Sequence, residues 1–163
     1  MGGGEGRVHG EVVHEGRIVT DERSSPVDEH AVLVDANIVI YALGDAEPER
    51  SRCRAYLQDL WSGSGRGYAS VEMVQEVVHH RLRRGDRADA VQDAKDMSKL
   101  LILLNFDHDI LERSLELIET TQIRGRDAVH AATALAHGIQ TIASSDAAFD
   151  GIPGLIRFDP LTA

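Results

Sequence analysis

The sequence predicts an α/β fold, a three-layer sandwich in which a central, mainly parallel sheet is covered by helices on both faces. Two observations lead there. Short apolar runs of strand length alternate along the chain with longer amphipathic stretches of helical length. The runs are near-continuously apolar, as in strands buried on both faces, and the stretches between them suit the crossovers that parallel neighbours require. A chain of 163 residues falls within the size of one domain and buries enough surface to need no staple.

Residues 1–30 stand apart from this pattern. Six of the fifteen glycines fall in the first sixteen positions, and the only β-branched pieces are Val12-Val13 and Ile18-Val19. The segment reads as an N-terminal tail, flexible or closing into a weak hairpin. The folded domain is therefore expected over 31–163. It opens with AVLV (31–34), stopped by Asp-x-Asn, which reads as a buried parallel strand running into a helix start. Helical periodicity follows over roughly 47–61, and GYAS (67–70) reads as the second strand. Helices are expected over 71–84 and 87–102, with LLNF (103–106) a weaker strand signal. Two more helices, 108–121 and 126–137, precede the strand runs QTIAS (140–144) and LIRF (155–158).

Charge and cysteine content narrow the function classes. The formal net charge is −10, which runs against the basic surface that usually meets nucleic acid. The bases nevertheless cluster, with Arg81, Arg83, Arg84 and Arg87 in HHRLRRGDR and Arg124 with Arg126 in QIRGRDA. A local basic rim is compatible with an acidic whole. Cys53, the single cysteine, lies between two arginines in a helical stretch and forms no internal disulfide. No apolar run approaches the roughly 20 residues that span a bilayer. The start MGGGEGRVHGEV lacks the charged-then-apolar layout of a signal peptide, so a cytoplasmic location is expected.

The residues able to do chemistry are carboxylates. Asp35 and Asn37 stand two apart at the exit of the first strand, where alternate residues of an extended chain point the same way. Glu76 falls outside the apolar arc of Val71, Val74, Val77, Val78 and Leu82, as does Glu72, and periodicity does not choose between them. Asp127 opens an alanine-rich helix, and Asp146 follows the strand run of IASSDAAFD after Ser144 and Ser145, with Asp150 four residues on. Each acid has a plainer account as a helix cap, a helix-dipole partner or a solvated charge. Together they recur at strand exits or first helical turns of separate βα units, and in open α/β sheets that edge is where ligands bind. Two carboxylates about 4 Å apart repel by roughly 4 kcal/mol at an effective dielectric near 20, so such a cluster takes up a cation or protons. An all-oxygen set suits Mg²⁺ or Mn²⁺.

Four segments in order, VDANIVIYAL, Ser70 with Glu76 six later, RDAVHAATAL and ASSDAAFDGIPGL, carry a family likeness. Over about residues 31–160 the chain resembles the PIN-domain nucleases, especially the VapC-type toxins of prokaryotic toxin–antitoxin pairs. By position, the resemblance makes Asp35, Glu76, Asp127 and Asp146 the catalytic, metal-holding acids, and it selects Glu76 over Glu72. Asn37 matches a polar residue after the first acid, and Ser144 matches a Ser or Thr two before the last. Asp150 is a supporting candidate. The resemblance implies Mg²⁺- or Mn²⁺-dependent hydrolysis of RNA, single-stranded or structured. Asp35 and Asp146 would be direct ligands, while Glu76 and Asp127 would act through water or on a second ion. It further implies a small antitoxin partner and a homodimer. Arg81, Arg83, Arg84, Arg124 and Arg126 are candidates to hold the RNA backbone. The long N-terminal segment and the acidic net charge depart from the family pattern.

Other chemistry is disfavoured. His79, His80 and His130 lack the spacing of a zinc site, His130 reading instead as packed or capping, and GSGRG (63–67) lacks the lysine of a phosphate loop. Two alternatives of another class stay open: a phosphatase with an aspartyl nucleophile, which would want Asp where Asn37 stands, and a non-catalytic interaction module whose acids only cap helices.

Overall fold

The computed structural model describes residues 30–85 and 87–163. The expected tail and hairpin, with Val12-Val13 and Ile18-Val19, lie outside the described residues. Elements follow as β1 (Ala31–Val34), α1 (Ala36–Leu43), α2 (Glu49–Asp59), β2 (Arg66–Ser70), α3 (Val71–Arg84), α4 (Arg87–Leu100), β3 (Ile102–Leu104), α5 (His108–Thr120), α6 (Gly125–Ala136), β4 (Thr141–Ala143) and β5 (Ile156–Phe158). All strand pairs are parallel, in the order β3-β2-β1-β4-β5.

Side-chain alternation along the strands divides the core into two layers. Val34 and Ala143 join the cluster built with α1 to α4, around Ile38, Cys53, Leu57, Met73 and Val77. Leu33 and Ile142 join the cluster on the opposite face, with Ile110, Leu117, Ala128, Ala131 and Phe149. Small residues let α6 pack close: Ala128, Ala131, Ala132 and Ala134 are fully buried. Fully burying one large aliphatic or aromatic side chain is worth about 1.5–3 kcal/mol, so each layer rests on many modest contributions.

Boundaries shift where local chemistry intervenes. The expected helix 47–61 begins at Glu49, and its end relaxes into a π-helical turn, Leu60–Ser64, broken at Gly63 with φ 109°, a conformation L side chains rarely adopt. β3 takes Ile102–Leu104 rather than 103–106, because Asp107 caps α5 through the Ile110 amide at 3.0 Å and the chain has to leave the sheet. The short α1, of which the sequence marks only the start, fills the space between β1 and α2. Cys53 is buried in α2, and burial pushes its thiol up to about 11, so no thiolate is available for nucleophilic work. Among the described residues no helix is long and apolar enough to cross a membrane.

Strand order reverses between β1 and β4. From β1 the chain proceeds through β2 to β3 on one side, then returns to place β4 on the other. The carboxyl ends of these two strands deliver Asp35 and Ser144 side by side, since Val34 pairs with Ala143 and the Asp35 amide donates to the Ala143 carbonyl at 3.0 Å.

Candidate active site

Asp35 is 5% exposed and fully engaged. One carboxylate oxygen accepts from the Ala36 amide at 2.8 Å as the N-cap of α1, and the other accepts from the Ser144 hydroxyl at 2.7 Å. Capping and site membership are thus not alternatives. Ser144 Oγ accepts in turn from Asn37 Nδ2 and from the Asp146 amide, both at 3.0 Å. The Ser145 amide lies 3.4 Å from Asn37 Oδ1. Burial raises the Asp35 pKa above the usual carboxylate range, and the charge of Glu76 adds to that rise; His130 and the bonds from Ser144 and Ala36 act against it.

Asp127 sits in the first turn of α6, half-buried, and its carboxylate accepts no hydrogen bond among the described residues. Its pKa is also raised, first by burial and then by the charges of Asp35, Asp146 and Glu76. The four acids named from the sequence therefore act on one another around Asp127. Asp146 caps a short 3₁₀ turn, Ala147–Phe149, accepting from the Ala148 amide at 2.8 Å, and is exposed.

Glu76 reaches the same region from α3. Its oxygens lie 3.5 Å from an Arg126 guanidinium nitrogen and 3.6 Å from His130 Nε2. The His130 ring, Arg126 and His79 hold its pKa low against the cost of burial. Glu72, one turn earlier on the same line of α3, makes neither of these contacts, and one of its carboxylate oxygens is buried and unbonded.

Ser70, which the sequence offered only as part of a family motif, and His130, read there as packed or capping, are the residues whose place at the site sequence reasoning missed. His130 is 1% exposed, packed as expected, yet its Nδ1 lies 2.9 Å from Ser70 Oγ. That oxygen also accepts from the Met73 amide at 3.0 Å as the cap of α3, so one hydroxyl ties the start of α3 to the His130 ring. His130 Nε2 is buried on the Glu76 side of the ring, 3.6 Å from that carboxylate and without a hydrogen-bond partner. The signal was present in the sequence: Asp127 and His130 are three apart on one helix and share a face.

Two expectations are redrawn. Asp150 is bound by Arg157 through contacts of 2.8 and 3.1 Å, and that arginine also reaches the Ser144 carbonyl and Asp159. Its carboxylate serves β5 rather than the acid cluster, because Phe149 turns inward, fully buried, and leaves Asp150 outside. Arg81 is tied to Asp93 of α4 at 2.7 Å. Arg83, Arg84 and Arg124 are exposed, whereas Arg126 leans on Glu76.

The donor set is all-oxygen and electrostatically strained, which fits a hard divalent cation. Among the described residues no three acidic, histidine or cysteine side chains already converge as a cage for one. Mg²⁺ keeps several waters and takes only one or two carboxylates directly, so it does not require such a cage.

The family model for the PIN domain matches residues 32–155. The chain is 29% identical over 133 residues to ribonuclease VapC7 of Mycobacterium tuberculosis, covering 79% of this chain and 91% of that protein. Among solved structures, VapBC2 from Rickettsia felis bound to a fragment of promoter DNA superposes with a TM-score of 0.65 at 17% identity, covering 79% of this chain and 98% of that one. VapC20 of M. tuberculosis, a toxin that cleaves the sarcin–ricin loop, superposes with a TM-score of 0.58 at 20% identity, covering 71% and 90%. The two structures share the fold, and the family match spans most of the sheet and all four acids. The chain belongs to the PIN-domain family.

Proposed function

We propose that the protein is a Mg²⁺- or Mn²⁺-dependent endoribonuclease that hydrolyses RNA phosphodiester bonds as the toxin of a toxin–antitoxin pair in the cytoplasm. The observation that carries this reading is the gathering of four carboxylates around Asp127, which is half-buried and unbonded and whose pKa is raised first by burial and then by the charges of Asp35, Asp146 and Glu76. Such a group is costly unless a cation is present. The likeness to a ribonuclease over most of both chains supports RNA as the substrate.

Asp35 and Asp146 would hold the metal directly, with Glu76 and Asp127 acting through water or on a second ion. When bound, the metal supplies Lewis-acid polarisation of the phosphate and makes water acidic enough to attack near neutral pH. The chain's own part is orientation. Ser144 and Asn37 fix the Asp35 carboxylate, and Ser70 fixes the ring of His130 against Glu76. Arg126 offsets charge at Glu76 and would meet a phosphate, with the exposed Arg83, Arg84 and Arg124 as a basic rim for the RNA backbone.

An apolar groove of about 250 Å³ between α1 and α2, lined by Val39, Ala42, Leu43, Leu57 and Trp61 with Arg54 at its edge, supports docking of an antitoxin. Exposed Leu111, Leu115 and Ile118 form a stripe on α5, and Leu100, Ile102 and Phe106 flank the edge strand β3; these support a homodimer. Residues 31–163 form the nuclease domain.

The test is cleavage of RNA by the purified chain with added Mg²⁺, with a chelator, and with Asp127→Asn. Cleavage that needs the metal and vanishes in the variant, with circular dichroism unchanged, is the expected result. Metal-independent cleavage, or full activity in the variant, would overturn the reading. Release of inorganic phosphate from a monoester would point to the phosphatase instead.

A further inference from the structure

Next to the acid cluster the described residues frame a cavity of about 580 Å³, distinct from the groove between α1 and α2. Asn37, Tyr41 and Asp45 line it from α1 and the turn that follows, and His80, Arg81 and Arg84 line it from α3. Asn37 belongs to both places, since it also donates to Ser144, whose hydroxyl holds Asp35. The cavity therefore opens from the site itself.

The two walls run in step. On α3, Glu76, His80 and Arg84 follow at four-residue intervals along one line. Eight residues of helix span about 12 Å, from the acids at one end to a guanidinium at the other. On α1, Asn37 and Tyr41 are likewise four apart, so an aromatic ring stands partway along the opposite wall.

Each group along this path lacks part of what it can bind. Arg84 is exposed and makes no ion pair among the described residues, in contrast to Arg81, which Asp93 occupies. His80 has a buried Nδ1 without a hydrogen-bond partner, and a buried polar atom left unpaired is costly. Burial and the charges of Arg84, Arg81 and Arg83 press the His80 pKa down, which leaves a ring able to accept as well as donate. A volume of this size admits one nucleotide-sized ligand and not a duplex.

We propose that this cavity is a nucleotide subsite for single-stranded RNA, holding the nucleotide next to the scissile phosphate with its base against Tyr41, a polar edge at His80 and the following phosphate on Arg84. It rests on the nuclease reading above. Stacking on an aromatic ring accepts any base, and a guanidinium meets phosphate through two parallel bonds. The cavity thereby sets how strongly substrate is held, independently of the metal.

The experiment measures fluorescence anisotropy of a short labelled single-stranded RNA with the full chain in an Asp35→Asn background, so that the probe is not consumed. Tyr41→Ala and Arg84→Ala should each weaken binding by roughly 5- to 150-fold. Tyr41→Phe should bind like the parent, and so should Arg113→Ala, which removes the same charge from the exposed face of α5, outside the cavity and the basic rim. Tyr41→Leu keeps the aliphatic packing without the ring and replaces Tyr41→Ala if the latter unfolds. Binding unaffected by Tyr41 and Arg84 variants, or weakened equally by Arg113→Ala, overturns the subsite. So does a result in which these variants lose only a co-expressed protein partner. Native chain that binds RNA through Tyr41 and Arg84 but cleaves none overturns the nuclease reading and leaves the subsite standing.

Discussion

Ser144 gives its one hydroxyl proton to Asp35, 2.7 Å away, and uses both acceptor positions for Asn37 and the Asp146 amide. One side chain thus ties together the first acid, its polar neighbour and the backbone of the fourth.

Ser144→Ala removes all three bonds at once and leaves a buried carboxylate oxygen without a donor. The expected loss is about 1–3 kcal/mol, read as a fall in Tm of roughly 2–8 °C for a chain of this size. RNA cleavage should drop about 10- to 100-fold, because Asp35 loses the group that orients it. Ser144→Thr retains the hydroxyl and should recover most of both. A melting scan and a cleavage assay on the pair check this, and an alanine variant with parental activity would remove Ser144 from the site.

Folding raises the pKa of Asp127, so the group binds its proton more tightly in the folded state than in the unfolded. The metal-free fold therefore gains stability as pH falls from neutral through that raised range and loses it as pH rises. Below the ordinary carboxylate value, about 4, both states are protonated and the gain is complete. Asp127→Asn should raise the metal-free Tm at neutral pH by about 1–4 °C, with the advantage shrinking toward pH ~5. Mg²⁺ should raise the Tm of the parent and not of the variant. Asp35, shifted in the same direction, predicts that Asp35→Asn is inactive with stability equal or raised.

Asp146→Ala and Asp150→Ala separate the two candidates for the fourth acid. Asp146 acts on Asp127, whereas Asp150 is held by Arg157. The first variant should weaken the Mg²⁺ dependence of cleavage steeply, and the second should leave it unchanged while loosening β5. A metal titration of both variants, with circular dichroism as control, decides. Inactive Asp150→Ala beside normal Asp146→Ala would reverse the assignment.

Deleting residues 1–28 should leave folding and RNA cleavage intact, because β1 starts at Ala31 and the family match at residue 32. The measurement is thermal melting and cleavage of the shortened chain. Failure to fold would place structural elements in the removed segment.

The sheet and the order of its helices were legible because buried strands and amphipathic helices leave different periodicities. Asp35 was legible for the same reason: an apolar run ending in Asp-x-Asn marks a strand exit. Periodicity did not separate Glu76 from Glu72, since both lie off the packed face of α3; the resemblance chose Glu76, and the position of α6 shows that Glu76 is the one that meets His130 and Arg126. His130 reads in sequence as one more packed residue of an alanine-rich helix; its contact with Ser70 spans sixty positions. The Arg81 partner, Asp93, comes from the way α3 folds against α4, which no charge run reveals.

The site is bounded in chain order by Asp35 and Asp146, and the strand that brings the far boundary home, β4, is among the last elements. Asp35, Glu76 and Asp127 precede β4 in the chain, and Asp146 follows it. Until Thr141–Ala143 slots beside β1, the Asp35 carboxylate has no Ser144 to hold it and Asp127 has no Asp146 across from it. The four acids therefore come together only once one of the last elements of the chain has docked, and any chemistry that needs all four waits on that contact.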